Sequence, residues 1–190
     1  MQLESLNIGT ARPLMAGGRR VLSGIGKHAV AGTVAVGRLG LAGDEQADLS
    51  VHGGLDKAVY AYPAEHYAFW QAQRQAQGVS LFDEPLPPGF VGENLTLRGL
   101  LEADVWVGDM LHFPDCSLRV TEPRQPCFKF NAVMGYLSAT RDMARSGRCG
   151  WYLAVVQPGS LAAGQAFTLE PGRRALAIPV AFASKRAKYA

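Results

Sequence analysis

The sequence predicts a single, mainly β domain with helices at its periphery, built as a sandwich or a barrel. Many short runs rich in branched and aromatic residues are each bounded by Gly, Pro or Asp. Gly-polar pairs punctuate them at Gly43-Asp44, Gly108-Asp109 and Gly164-Gln165; Gly supplies the positive φ of a tight turn and Asp bonds its own backbone. Only two segments read as helical, which disfavours a doubly wound sheet.

In chain order, strands are expected over residues 2–8, 32–36, 58–62, 94–97, 104–107, 110–113, 117–121, 152–156, 166–169 and 177–182. The first helix is expected to open at Pro63 and close near Gln77, with Gly78 at its C′ position and Ala64, Tyr67, Ala68 and Trp70 as its buried stripe. The second is expected to follow Asn131 as N-cap and end near Gly147, burying Val133, Tyr136, Leu137, Met143 and Ala144. Residues 77–92, with Pro85, Pro87, Pro88 and Gly89, read as a loop. One domain over 1–183 and a basic tail over 184–190 complete the organisation.

Composition narrows the function. With 48% hydrophobic and 18% charged residues the chain is globular rather than disordered. Nineteen basic residues against 16 acidic ones, a net charge of +3, are too few to predict a nucleic-acid partner, yet leave room for a local anion site. No basic-then-apolar leader opens the chain and no apolar run is long enough to span a bilayer, so the expectation is a cytoplasmic protein with no membrane partner. Three cysteines without a CxxC argue against a disulfide framework, a zinc ribbon or a cysteine-ligated cluster. GxSxG, GxxxxGK[ST], HExxH and GxGxxG are absent.

The most informative stretch is Glu122-Pro-Arg-Gln-Pro-Cys127-Phe-Lys129. Two prolines keep it out of regular structure. Arg124 and Lys129 flank the thiol; if they also lie near it in space, their charge favours the thiolate that ligates metals or attacks electrophiles. Burial as a small apolar group is the commoner fate of a free cysteine and is expected for Cys116 and Cys149. A second stretch spans Gly43–Asp48 and His52–Val59. Asp44, Asp48, His52 and Asp56 fall four apart, but Gly53-Gly54 opposes the helix that would align them as ligands. The Gly-Gly loop running into Lys57, with His52 beside it, better suits an anion. Glu93-Asn94 after Gly92 either orders a loop or lines a site. Arg148 either reaches a phosphate or, like Arg145, sits at a helix end.

Five ordered blocks, Gly43-Asp-Glu-Gln-Ala-Asp48, His52-Gly-Gly-Leu-Asp-Lys-Ala-Val59, Gly92-Glu-Asn-Leu95, Pro123-Arg-Gln-Pro-Cys-Phe-Lys129 and Gly147-Arg-Cys-Gly-Trp-Tyr152, resemble the successive motifs of MOSC domains, in particular the bacterial YiiM-like branch. The resemblance implies a closed β-barrel of the pyruvate-kinase barrel-like type. It also implies a molybdenum–pterin cofactor ligated by Cys127, and reduction of N-hydroxylated compounds such as N-hydroxylated purine bases. On that reading Lys57, Glu93, Asn94, Arg124, Lys129 and Arg148 bind the cofactor, while His52, or less directly Asp56, handles the proton. No flavin or haem motif occurs, so a separate electron-donor protein is expected, and a homodimer is compatible. A non-catalytic carrier of the cofactor, or of sulfur on Cys127, is the alternative.

Overall fold

The computed structural model describes residues 1–47, 53–81 and 84–185. Strands β1 (Gln2–Ile8), β2 (Arg12–Ala16), β3 (Arg19–Ser23), β4 (His28–Ala29), β5 (Thr33–Gly37) and β6 (Gly40–Leu41) come first, followed by β7 (Val59–Pro63) and helix α1 (Tyr67–Ala76). Then come β8 (Leu95–Arg98), β9 (Met110–His112), β10 (Ser117–Pro123), α2 (Phe128–Met134), α3 (Ala139–Ser146), β11 (Trp151–Gln157), β12 (Gly159–Ala162), β13 (Thr168–Glu170) and α4 (Ile178–Lys185).

Eight strands form one sheet in the order β13-β9-β10-β11-β7-β8-β1-β4, antiparallel except for the parallel pair β7–β8. A three-stranded sheet, β12-β5-β6, and the β2–β3 ribbon stand apart. The closed barrel implied by the resemblance is therefore corrected: among the described residues no sheet closes on itself. Each strand has two edges, and β1 uses one for β8 and the end of the other for β4. What remains meets the chain before β13 in an isolated bridge, Gln2–Ala166, rather than a ladder.

The core lies between the large sheet and its helices, where Trp70, Trp151, Tyr62 and Phe130 are fully buried. Of the expected α1 stripe only Trp70 is buried; its indole N–H donates to the Tyr62 hydroxyl. Gly78 has the expected positive φ, +68°. The second expected helix is two. Gly135, at φ +80°, ends α2, and α3 starts four residues later. Asn131 is not an N-cap residue: it lies inside α2, whose N-cap is Cys127, while Ser138 is that of α3; its side-chain oxygen reaches across the break to accept the Thr140 N–H at 2.8 Å.

Two expected strands are absent. Residues 104–107 pass from a short 3-10 turn into extended chain, with a single bridge from Trp106 to Ala177. The segment 177–182 is mostly helix α4, because Ile178, Ala181 and Phe182 bury one helical face and Pro179 suits a first turn. Among the described residues no helix is long and apolar enough to cross a membrane.

Gly150, just before β11, has φ +62°, and a Cβ there would lie 2.3 Å from the Ala61 carbonyl oxygen and 3.0 Å from the Tyr60 ring. Gly150→Ala is expected to cost about 2–3 kcal/mol through strain and forced backbone movement, read as a lowered urea midpoint.

Candidate functional site

A cleft of about 640 Å³, its open mouth included, is cut beside one face of the large sheet. Its walls come from segments far apart in sequence. Tyr60 of β7 and Tyr152 of β11 project from the sheet, Ser23 and Gly24 come from the end of β3, and Gly92 and Asn94 precede β8. The short link from β10 to α2 contributes Arg124, Cys127 and Lys129. Two prolines hold that link in extended backbone, and Cys127, at φ −132° and ψ 163°, is the N-cap residue of α2. The cleft is thus built where β10 stops and α2 has not begun.

Four cations line it: Lys27, Lys57, Arg124 and Lys129, against the carboxylates of Asp44 and Glu45. Arg124 is 5% exposed. Its Nη1 donates to the Val91 carbonyl at 2.6 Å and to the Tyr60 hydroxyl at 3.2 Å, and its guanidinium lies 4.8 Å from the Tyr60 ring centre and 5.2 Å from that of Phe130. Burial by itself pulls this group down, but Tyr60, Tyr152 and the Cys127 thiol together hold it above its ordinary value, so it is a fixed charge.

Lys27 is nearly sealed and donates to Asp44 Oδ1. Desolvation lowers its pKa, with Asp44 opposing and Arg124 adding to the fall. Asp44 also accepts the Gly9 N–H and the Asn94 side-chain N–H, each at 2.9 Å, while Asn94 Oδ1 accepts the Tyr60 N–H at 3.0 Å. Lys57 lies 3.4 Å from Glu122 and 5.7 Å from the Tyr152 ring centre. Lys129 Nζ donates to the Leu22 carbonyl at 3.0 Å.

The three cysteines separate as expected by environment. Cys116 and Cys149 are buried, 1% and 0% exposed. Burial, with Asp115 adding, pushes the Cys116 thiol up to about 11; burial, with Glu102 adding, raises Cys149 well above its ordinary value. Cys127 alone of the three is partly accessible and lines the cleft.

Of the residues singled out in the sequence, the fold brings together Cys127, Arg124, Lys129, Lys57 and Asn94. It places three elsewhere. Arg148 is not in the cleft wall; its guanidinium stacks 4.2 Å from the Phe69 ring centre. The Asp56 side chain, three-quarters exposed, faces Arg119 at 3.9 Å on the rim of a shallow outer groove. Asp56 and Lys57 share the 3-10 turn Leu55–Lys57, where neighbouring side chains fan out about 120° apart, so only Lys57 reaches the cleft. Glu93 is fully buried behind the wall, accepting the Tyr67 hydroxyl, the Gly89 N–H at 2.8 Å and the Thr96 hydroxyl at 2.8 Å on Oε1. His52 and Asp48 lie outside the described residues, although Ala47 and Gly53 on either side both line the cleft.

Sequence reasoning misses Lys27, Tyr60 and Tyr152 as site residues, and takes Asp44 only as a turn former and as one of four spaced ligands. Gly24-Ile25-Gly26-Lys27, an open backbone ending in a cation, is the signal that could have found Lys27.

Burial lifts the Glu93 carboxyl above its ordinary 4.5, against its three hydrogen bonds. The folded chain therefore binds a proton that the unfolded chain releases, and stability falls as pH rises from about 4.5 through the raised value. Glu93→Gln removes this titration. Its melting temperature relative to the parent is expected to rise between acidic and mildly alkaline pH, and a constant difference would place the Glu93 proton balance elsewhere.

The MOSC domain family model matches residues 48–168, which includes Lys57, Asn94, Arg124, Cys127 and Lys129. Protein YiiM of Escherichia coli is 39% identical over 141 residues, 74% of this chain and 61% of that protein. A protein named Reductase from Gibberella moniliformis is 35% identical over 153 residues, 80% of this chain but 26% of its own length. The crystal structure of YiiM from Geobacillus stearothermophilus superposes with a TM-score of 0.75 at 31% identity, covering 98% of this chain and 84% of that one. On the matched model, the identities and the shared fold, the chain belongs to the MOSC domain family.

Proposed function

We propose that this chain holds a molybdenum–pterin cofactor in the cationic cleft and reduces N-hydroxylated compounds to amines. MOSC domains are associated with the molybdenum cofactor, and a relative carries the name Reductase. One observation carries the reading: the sole accessible cysteine among the three lies in a cleft shared with four cations.

The donor set fits such a group. A thiolate is a soft ligand suited to a redox metal, and a metal keeps it ionised. A phosphate and an electron-rich metal centre call for fixed positive charge with little water, which Arg124 supplies as a buried guanidinium with donors in a rigid fork. Lys129 and Lys57, nearer the surface, would engage the phosphate end, and Gly24, Gly53 and Gly92 let backbone approach closely.

When bound, the cofactor supplies two-electron oxygen-atom acceptance. The chain orients and shields it. Lys27 Nζ holds a proton against Asp44 inside the wall, Asn94 fixes Asp44, and Tyr60 and Tyr152 exclude water from the floor. His52, beside Gly53 in sequence, remains the proposed proton donor to the leaving oxygen.

The test is to purify the chain from cells competent in cofactor synthesis, measure molybdenum per chain, and assay a panel of N-hydroxylated bases with reduced viologen. About one molybdenum and steady turnover is the expected result. A transferable sulfur on Cys127 without turnover would turn the reading to a carrier.

A further inference from the structure

Among the described residues the ribbon of β2 and β3 pairs with no other strand, and the cleft chemistry does not use its outer surface. Its register sets Pro13 opposite Leu22 and Met15 opposite Arg20, which puts these four on one face. The other face packs inward, with Ala16 and Ser23 buried and α2 in contact. The outer face is exposed throughout, Met15 at 64% and Leu22 at 53%. A half-buried ribbon ordinarily turns polar residues outward; this one turns out apolar side chains with Arg20 among them. Arg19, paired with Ala16, belongs to the α2 side; it is itself exposed, and its guanidinium stands 5.5 Å from the ring centre of Phe128, the first residue of α2.

Charge decides what would cover it. The ribbon itself, residues 12–23, carries three arginines and no Asp or Glu. Arg20 lies on the outer face, while Arg12 and Arg19 point from the other face but are exposed, and among the described residues none of the three forms an ion pair. A second copy docked by two-fold symmetry would set these cations against each other. An acidic protein is attracted by the same charges. The position of the ribbon connects such a partner to the cleft. Strand β3 runs into Ser23 and Gly24 in the cleft wall, Lys129 ties Leu22 to the cysteine segment, and Phe128 follows Cys127.

We propose that the outer face of this ribbon docks an acidic one-electron carrier protein that reduces the centre in the cleft. The proposal rests on the reductase reading. Each turnover, R–NHOH + 2 electrons + 2 H⁺ giving R–NH₂ + H₂O, takes one electron from each of two reduced carriers and its protons from solvent.

The test uses the full cofactor-loaded chain with two acidic probes, a plant-type ferredoxin and a flavodoxin, in biolayer interferometry at low and physiological salt. The parent is expected to bind at least one of them, more weakly as salt rises. Arg19→Glu with Arg20→Glu should weaken binding about tenfold or more, and Met15→Ser with Leu22→Ser by roughly fivefold. Melting temperature and viologen-driven turnover should stay at parental values in both. Binding by neither probe, parental binding in the Arg19/Arg20 variant, or preferential self-association or capture by anionic vesicles would overturn the proposal. If binding and its loss hold while viologen drives no turnover, the reductase reading fails and the docking surface stands.

Discussion

Cys127→Ser is expected to abolish molybdenum retention, and with it all reductase turnover, while shifting the melting temperature of the cofactor-free chain by no more than about 2–4 °C, the equivalent of roughly 1 kcal/mol in a chain of this size. Serine is nearly isosteric with cysteine, and Cys127 is partly accessible at a segment fixed by its neighbouring prolines, so little packing is lost. What serine lacks is a sulfur that ionises and binds a soft metal. The buried pair behaves in the opposite way. Cys116→Ser and Cys149→Ser put a hydroxyl into sites 1% and 0% exposed, which costs about 1–3 kcal/mol where no partner is found, yet metal content should stay near parental. Metal analysis and calorimetry on the three variants check both halves. Retained molybdenum in Cys127→Ser, or its loss in either of the others, would mean that a different sulfur is the ligand.

The second large effect is expected at Asp44. Removing its carboxylate leaves the Lys27 ammonium, the Gly9 N–H and one Asn94 N–H without their acceptor, and Lys27 is almost entirely out of water. Breaking one side of a buried pair costs about 3–5 kcal/mol, mostly as the uncompensated charge. Asp44→Ala should lose stability on that scale in urea unfolding. Asp44→Leu combined with Lys27→Met should recover much of it, because both charges then leave together. The single variant should also lose cofactor, since the unpaired Lys27 ammonium and the freed Asn94 N–H then disturb the cleft wall. A loss under about 1 kcal/mol would show that water reaches Lys27 and that the cleft wall is not dry.

Local chemistry is legible in the sequence wherever a short segment decides its own shape. In the Pro-x-x-Pro-Cys segment Pro123 still ends strand β10, but residues 124–127 join neither strand nor helix and become the corner that carries Arg124 and Cys127 into the cleft. Gly43, Gly108 and Gly164 all adopt the positive φ expected of them. What fails is decided at long range. Residues 177–182 are apolar enough for a strand, but their buried set has helical spacing, visible only once the surface they cover is known. Whether a sheet closes depends on which edges remain free after pairing, which no local pattern reports. Lys27 reaches the cleft because Asp44, 17 residues on, folds back to meet it. Arg148 lies in a motif beside the site in sequence, yet Phe69 captures its guanidinium.

The most direct test of a metal-binding thiol in this cleft is a brief iodoacetamide reaction on the native chain, with and without cofactor, mapped by peptide mass. The expected result is alkylation at Cys127 alone in the cofactor-free protein, none at Cys127 in the molybdenum-loaded protein, and silence at Cys116 and Cys149 in both. Alkylation of Cys127 at equal rates in the two forms, with the molybdenum still bound, would contradict it.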